Sequence, residues 1–185
     1  FMPRLRTIEL LAPAKNAETA RQAILHGADA VYMGAPRFGA RASAGNSLDD
    51  IADVVNEAHA WHVKVYVTLN SLLHDEELPE ATALAWDLWA LGVDALIVQD
   101  MGLTTCDLPP IPLHASTQTN NRSLEKVQFL EKAGFSQVVL ARELSIDQIS
   151  EIAEQTNVTL EVFIHGALCV SYSGQCYASE YCFGR

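Results

Sequence analysis

The sequence predicts an α/β fold built on a parallel sheet of the (β/α) TIM-barrel type, truncated after about seven strands. Short apolar runs alternate with amphipathic helical patterns along the whole chain, and no antiparallel hairpin signal joins neighbouring runs. A helix, glycine and strand unit also recurs along the sequence. A complete barrel has eight units and typically about 250 residues, whereas this chain has 185 residues and ends shortly after its seventh run.

Seven apolar, β-branched runs are predicted to form the strands. In chain order they cover residues 8–11, 30–33, 63–69, 95–98, 111–114, 138–140 and 160–164. No G-x-G-x-x-G follows the first run, because Ala12-Pro13-Ala14-Lys15 stands there instead. The sequence therefore favours a barrel over a dinucleotide-binding sheet.

Helices are predicted between the runs, where apolar residues share one helical face. The three clearest faces consist of Ile51, Val54, Val55 and Ala58, of Leu84, Leu88 and Leu91, and of Ile146, Ile149 and Ala153. Ser47 with Asp50, and Ser145 with Gln148, have the spacing of N-terminal capping boxes. The start of two helices is thus indicated independently of the apolar periodicity.

The internal repeat consists of the segments HGADAV at 26–31, LGVDAL at 91–96 and AGFSQV at 133–138. In each segment a glycine can adopt the left-handed conformation that ends a helix, and a short polar turn then starts the next strand. The repeat unit is a helix, a glycine stop and a parallel strand.

Composition restricts the classes of partner. The net charge of −11 and the pI near 4.8 argue against a broad basic face for nucleic acid, so any such contact is expected to be local or supplied elsewhere. No signal peptide or membrane span is found, so we expect a cytoplasmic protein with no membrane partner. Residues 1–185 are interpreted as a single N-terminal barrel domain of a longer protein.

The candidate site residues follow the apolar runs, because barrel enzymes carry their chemistry at the C-terminal ends of strands. These residues are Arg41, Asn70, Gln99, His114, Gln118, Arg142, Glu143 and His165. Strand ends also meet solvent, so Arg142 and Glu143 are equally compatible with a simple ion pair between loops. A hydrogen-bonded structural role is equally compatible with His114.

Cysteines concentrate at the end of the chain, where HGALCVSYSGQC at 165–176 contains Cys169 and Cys176. Thiolates in a glycine-containing loop suit an iron-sulfur cluster or zinc, but the C-x6-C spacing does not name the metal. A cysteine nucleophile assisted by His165 or His114, and a pair of inert buried thiols, remain open. Peptidase signatures such as H-E-x-x-H and G-x-S-x-G are absent from the sequence.

Several motifs occur together in a specific order along nearly the whole chain. They are ELLAPA at 9–14, HGADAVYMG at 26–34, KVYVTLN at 64–70, GVDALIVQDMG at 92–102, LHASTQ at 113–118, VVLAREL at 138–144 and EVFIHGALCVSYSGQC at 161–176. With these motifs the chain resembles the collagenase-like peptidase family U32. It is most similar to the branch of that family that makes 5-hydroxycytidine in large-subunit ribosomal RNA.

The resemblance implies an oxygen-independent RNA hydroxylase with a 4Fe-4S cluster, and prephenate as the source of the hydroxyl group. Cys169 and Cys176 would be two of four thiolate ligands, and the others would lie outside this chain, so we expect this fragment to lack the cluster and to be inactive.

Further roles are assigned as hypotheses. Arg41, His114 and Arg142 would bind the small carboxylate co-substrate, and His165 and Glu143 would transfer protons. Asn70, Gln99 and Gln118 would contact substrate.

Two alternatives remain from the sequence. One is a true collagenase-like peptidase that uses Cys169 or a bound metal. The other is a barrel that has lost its chemistry and serves as a scaffold. For such a scaffold, or simply as a result of truncation, the edge left by a missing eighth strand is expected to pair two copies into a homodimer, because unpaired backbone groups seek partners.

Overall fold

The computed structural model describes residues 8–39, 46–166, 169 and 171–175. In this part the chain forms one seven-stranded parallel sheet whose spatial order follows the sequence from β1 to β7. The strands are β1 (Leu11–Ala14), β2 (Ala30–Gly34), β3 (Lys64–Leu69), β4 (Ala95–Val98), β5 (Leu113–Ala115), β6 (Gln137–Val139) and β7 (Thr159–Glu161). The sheet curls into a partial barrel, which confirms the predicted TIM-barrel-like fold class.

Within the described residues, five α-helices connect the strands. They are α1 (Ala17–Leu25), α2 (Leu48–Ala60), α3 (Leu78–Ala90), α4 (Leu124–Lys132) and α5 (Ile146–Glu154). Short 3-10 helices at Gly102–Thr105 and Thr117–Thr119 follow β4 and β5. Among the described helices, none combines the length and the apolar character needed to cross a membrane.

The two faces of the sheet have different surroundings, because successive side chains of a strand point to opposite faces. Val65, Leu96 and Val138 belong to the large core between the sheet and the helices. Tyr66 and Ile97 belong to a smaller cluster on the inner face. The helices therefore cover the outer face, and the inner face forms the barrel interior.

Polar residues close the N-terminal end of the barrel interior. Glu9 accepts hydrogen bonds from Lys64 Nζ at 2.7 Å and from Tyr66 Oη at 2.8 Å. Glu161 at the end of β7 accepts one from Gln137 Nε2 at 2.8 Å. Burial raises the pKa of Glu161, and the charge of Glu9 raises it further, against the opposing effect of the Gln137 bond. The segment before β1 and the end of β7 therefore interact electrostatically through Glu9 and Glu161.

The predicted glycine stops are confirmed. Gly27, Gly92 and Gly134 have φ angles of 92°, 89° and 95°, which an L-residue adopts only with strain. Two residues after the second of these glycines, Asp94 Oδ2 accepts the backbone N–H of Val65 at 2.7 Å. The polar turn thus ties each new strand back to the start of the preceding strand.

The first and last strands differ from their predictions. β1 begins only at Leu11, because the Asp29 carboxylate accepts the backbone N–H of Leu10. The strand includes Pro13, which an edge strand tolerates because one of its sides needs no backbone donor. β7 ends at Glu161 rather than continuing to residue 164, and 162–164 are exposed. Within the described chain both edges lack a second neighbour; pairing of two copies there stays a prediction.

Both capping boxes are confirmed, and one yields a stability test. The Ser145 hydroxyl accepts the Gln148 N–H at 3.3 Å, and the Gln148 side chain accepts the Ser145 N–H at 2.9 Å. Ser145→Ala should lower the free energy of unfolding by about 1 kcal/mol, measured by urea denaturation. Ser150→Ala, the same change in the exposed interior of α5, should be neutral or stabilising because alanine is the better helix former. Equal losses in both variants would contradict a capping role.

Candidate active site

The C-terminal ends of β3, β4 and β5 bring three predicted substrate-binding residues to one face. Asn70 follows β3, and its Nδ2 donates to Ser116 Oγ at 3.4 Å, just after β5. Gln99 follows β4, and its Nε2 donates to the backbone oxygen of Gln118 at 3.4 Å. These side-chain amides therefore line neighbouring loops at the mouth of the barrel.

Asn121 holds the loop after β5 against the end of β6. Its side chain is fully buried, and its Nδ2 donates to the backbone oxygens of Ser116 and Val139 at 2.9 and 2.8 Å. Its Oδ1 accepts from Thr119 Oγ1 at 2.6 Å. One amide thus satisfies two buried carbonyl groups from different strand ends, which sets the spacing of these loops.

The loop that carries Cys169 is fastened to the same face by Ser173. The Ser173 N–H donates to Glu143 Oε1 at 2.5 Å, and its hydroxyl donates to Glu143 Oε2 at 3.0 Å. The hydroxyl also lies 3.3 Å from Thr117 Oγ1. Ser173 is only 4% exposed, although Tyr172 before it is 61% exposed. The loop is therefore attached to the connections that follow both β5 and β6.

Gly174 makes the closest approach between these loops. Its φ is 75°, and a Cβ placed on it would lie 2.6 Å from the Gln118 oxygen and 3.0 Å from Asn120 Cβ. The Gln118 backbone and the Asn120 Cβ cannot move aside for a new Cβ as the end of a flexible side chain can. Only glycine satisfies both the left-handed backbone and the contact.

Gly174→Ala should release this loop from Gln118. We expect a local cost of roughly 1–2 kcal/mol and about tenfold faster hydrogen exchange in residues 171–175, measured by mass spectrometry. Gly166→Ala is the matched control, because Gly166 also has a positive φ, 137°, but a Cβ there would meet no atom of the described residues within 4 Å. Equal acceleration in the two variants would show that backbone strain, and not the contact with Gln118, governs the loop.

Glu143 is held in its charged form. Burial alone would raise its pKa, but the hydrogen bonds from Ser173 and the positive charge of Arg122 outweigh burial, and the pKa is lowered. Near neutral pH this carboxylate can accept a proton but has none to donate. No ion pair between Arg142 and Glu143 occurs in the part of the chain that the structure describes.

His114 lies apart from the mouth. It is the central residue of β5, it is 5% exposed, and its ring packs edge-on against Tyr66 with centroids 4.7 Å apart. Burial lowers its pKa to about 4. The expected position at a strand end is corrected to the barrel interior, where a neutral ring adds no positive charge to an anion site.

The remaining predicted residues are distributed as follows. Arg142 is exposed, and its guanidinium lies over the Phe163 ring at 5.2 Å. His165 is exposed at the bend after β7, and Cys169 is an exposed free thiol. Arg41 and Cys176 lie outside the described residues.

Metal ligation by these residues is incomplete within the described ranges. No group of three or more histidine, cysteine or acidic side chains there is arranged to hold a metal ion. Cys169 supplies one thiol, whereas a 4Fe-4S cluster takes four. The described donor set therefore does not fit a complete cluster.

The sequence did not predict that three residues hold the loops at the barrel mouth together: Asn121, Ser173 and Gly174. Each acts through a partner distant in sequence; Ser173 and Glu143, for example, are 30 positions apart. The only available signal was the Ser-Gly step inside the cysteine loop, which indicates a tight turn but not what the turn contacts.

Comparison with known proteins identifies the family of this chain. The model of peptidase family U32 matches residues 15–185. The chain belongs to peptidase family U32. The solved structure of the U32 peptidase Mk0906 has a TM-score of 0.70 at 16% identity, covering 88% of this chain and 70% of that one, and so shares its fold.

Two curated relatives are more similar in sequence. The 23S rRNA 5-hydroxycytidine C2501 synthase of Escherichia coli (strain K12) is 60% identical over 96% of this chain and 27% of its own length. The tRNA hydroxylation protein P1 of Bacillus subtilis (strain 168) is 38% identical over 96% of this chain and 43% of its own. The chain thus spans less than half the length of these relatives.

Proposed function

We propose that this chain forms the barrel part of an oxygen-independent RNA hydroxylase that makes 5-hydroxycytidine in large-subunit ribosomal RNA. The observation that carries the proposal is the 60% identity, over 96% of the chain, to a protein named for that product. The tRNA hydroxylation relative supports RNA as the class of substrate at lower identity. In this proposal residues 1–185 are one domain of a longer protein.

The proposed cofactor is a 4Fe-4S cluster bound in part by Cys169 and Cys176. Such a cluster supplies one-electron chemistry. Fastening by Ser173 supports the proposal, because it fixes the loop between these two cysteines against the barrel mouth. The cluster would need further ligands beyond the single thiol that the described residues provide.

The proposed roles at the mouth follow from the chemistry of each side chain. Asn70, Gln99 and Gln118 would hydrogen-bond the substrate, since amides offer both donors and acceptors. Arg41 and Arg142 would bind the carboxylates of prephenate, the proposed hydroxyl source, through bidentate contacts.

Proton transfer is assigned to two groups with different environments. Glu143 would act as the proton acceptor because its lowered pKa keeps it ionised. His165, which is exposed at the loop entrance, would exchange protons with solvent. His114 would contribute only as a neutral hydrogen-bonding group from the barrel interior.

Peptidase chemistry receives no support from the geometry. Among the described residues, no histidine or carboxylate forms a hydrogen bond with Cys169, which a cysteine nucleophile needs for activation. The family name points to peptide hydrolysis.

Mass spectrometry of ribosomal RNA provides the test. A strain that lacks the longer parent protein should lose 5-hydroxycytidine, and the parent protein should restore it, whereas its Cys169→Ala variant should not. Cys106→Ala is the matched control, because Cys106 is a partly buried thiol in the 3-10 helix region after β4 and should be replaceable. Unchanged 5-hydroxycytidine in the deletion strain would refute the proposal.

A further inference from the structure

Two arginine–aromatic pairs lie near the mouth of the barrel. The Arg122 guanidinium lies over the Tyr172 ring at 5.1 Å, and that of Arg142 lies over the Phe163 ring at 5.2 Å. Both rings remain accessible, with Tyr172 61% exposed and Phe163 45% exposed. We name these four residues the stacking patch.

One hydrogen-bonded contact links the segments that carry the two pairs. Tyr172 precedes Ser173, whose N–H donates to Glu143 Oε1 at 2.5 Å. Glu143 in turn follows Arg142. The contact that fastens the cysteine loop therefore joins the segment that carries Tyr172 to the segment that carries Arg142.

The charges of the patch favour an anionic partner. Neither Arg122 nor Arg142 forms an ion pair within 4.0 Å among the described residues. Glu143 is attracted to Arg122, but both of its oxygens already accept hydrogen bonds from Ser173. The patch thus carries two guanidinium groups with no ion-pair partner among the described residues, in a chain of net charge −11. The patch therefore meets the expectation that any nucleic-acid contact is local.

We propose that the stacking patch binds single-stranded RNA, with nucleobases stacked on Tyr172 and Phe163 and phosphates neutralised by Arg122. Exposed aromatic rings interleaved with arginine are typical of single-strand binding sites, because every base offers a flat face to stack. The choice of RNA rests on the proposed function. The patch would then hold the strand beside the loop that carries Cys169.

Fluorescence anisotropy tests the patch directly on this chain. The probe is a labelled single-stranded RNA of about 12 nucleotides and mixed sequence. Tyr172→Ala and Phe163→Ala should each weaken binding about tenfold or more, as the loss of one stacked base does. Tyr172→Trp should retain binding, because the larger ring preserves stacking. Duplex RNA of the same sequence should compete poorly, since its bases are already stacked.

A matched control exists on α4. Lys126 Nζ lies 5.5 Å from the centroid of the Phe129 ring, and Phe129 is 54% exposed, so this pair has similar chemistry on a helix surface. Phe129→Ala should leave RNA binding unchanged. The inference is overturned if the wild-type chain does not bind the probe, if Phe129→Ala weakens binding as much as the patch variants, or if duplex RNA binds equally well.

Failure of the patch and failure of the proposed function give different results. If the parent protein produces 5-hydroxycytidine but the patch variants bind RNA like wild type, the function stands and the patch is wrong. If the patch variants lose binding but the deletion strain keeps 5-hydroxycytidine, the patch stands and the proposed reaction is wrong.

Discussion

Asn121→Asp is expected to lower the free energy of unfolding by roughly 4 kcal/mol. The substitution turns the Nδ2 donor into an acceptor that faces the backbone oxygens of Ser116 and Val139, both formerly bound at under 3 Å. Two buried carbonyls then lose their partners at a cost of roughly 1–3 kcal/mol each, and a carboxylate must be buried or protonated. Urea denaturation of the chain measures the loss.

An exposed asparagine serves as the control. Asn56→Asp makes the same chemical change on the solvent side of α2 and should alter stability by less than about 0.5 kcal/mol. The loss in the free energy of unfolding for Asn121→Ala should lie between those of the two variants, because this substitution removes the donor without adding charge. If Asn121→Asp proves as mild as Asn56→Asp, the amide does not carry the connection between β5 and β6.

Local chemistry explains why most of the fold was predictable. The capping boxes at Ser47 and Ser145 and the glycine stops depend on residues within a few positions of each other. Alternating strand and helix patterns then leave few topologies, since parallel crossovers have one hand. The order of the seven strands follows from the order of the apolar runs.

Strand ends were less predictable because they depend on neighbours rather than on composition. The apolar run at 160–164 continues beyond β7, but β6 offers no pairing partner past Val139. The fifth run, predicted at 111–114, forms β5 only from Leu113, where Pro112 no longer removes a backbone donor. β-Propensity alone does not contain this information.

The sequence predicted which residues lie at the candidate site but not the hydrogen bonds that join them. Asn70, Gln99, Gln118 and Glu143 do lie at the C-terminal ends of their strands, as parallel topology requires. The hydrogen bonds that join them link residues 19 to 46 positions apart. His114 is different, because strand alternation in Leu113-His114-Ala115 already places it on the face opposite its apolar neighbours. That signal indicated the barrel interior.

The second large predicted effect is a loss of folding stability at acidic pH, and it arises from His114. Burial lowers the pKa of this histidine from 6.5 to about 4, so in the folded state it stays neutral where the unfolded chain binds a proton. The unfolded state thus holds more protons between pH 6.5 and 4, and stability falls as the pH decreases through this range. The full loss is about 3 kcal/mol, since each pKa unit corresponds to about 1.4 kcal/mol.

His114→Phe should remove this part of the acid dependence. The phenyl ring can keep the edge-on contact with Tyr66, and His114 Nδ1 has no hydrogen-bond partner among the described residues that the variant would orphan. The raised pKa of Glu161 has the opposite effect, because its contribution to stability is lost as the pH rises. The informative quantity is therefore the difference in the free energy of unfolding between wild type and His114→Phe at each pH. Urea denaturation at several pH values should show a difference that grows from pH 6.5 to 4 and then levels off. His74→Gln, at an exposed histidine, should follow the wild-type curve. A His114→Phe curve parallel to wild type would show that the buried ring takes up its proton as readily as the unfolded chain does.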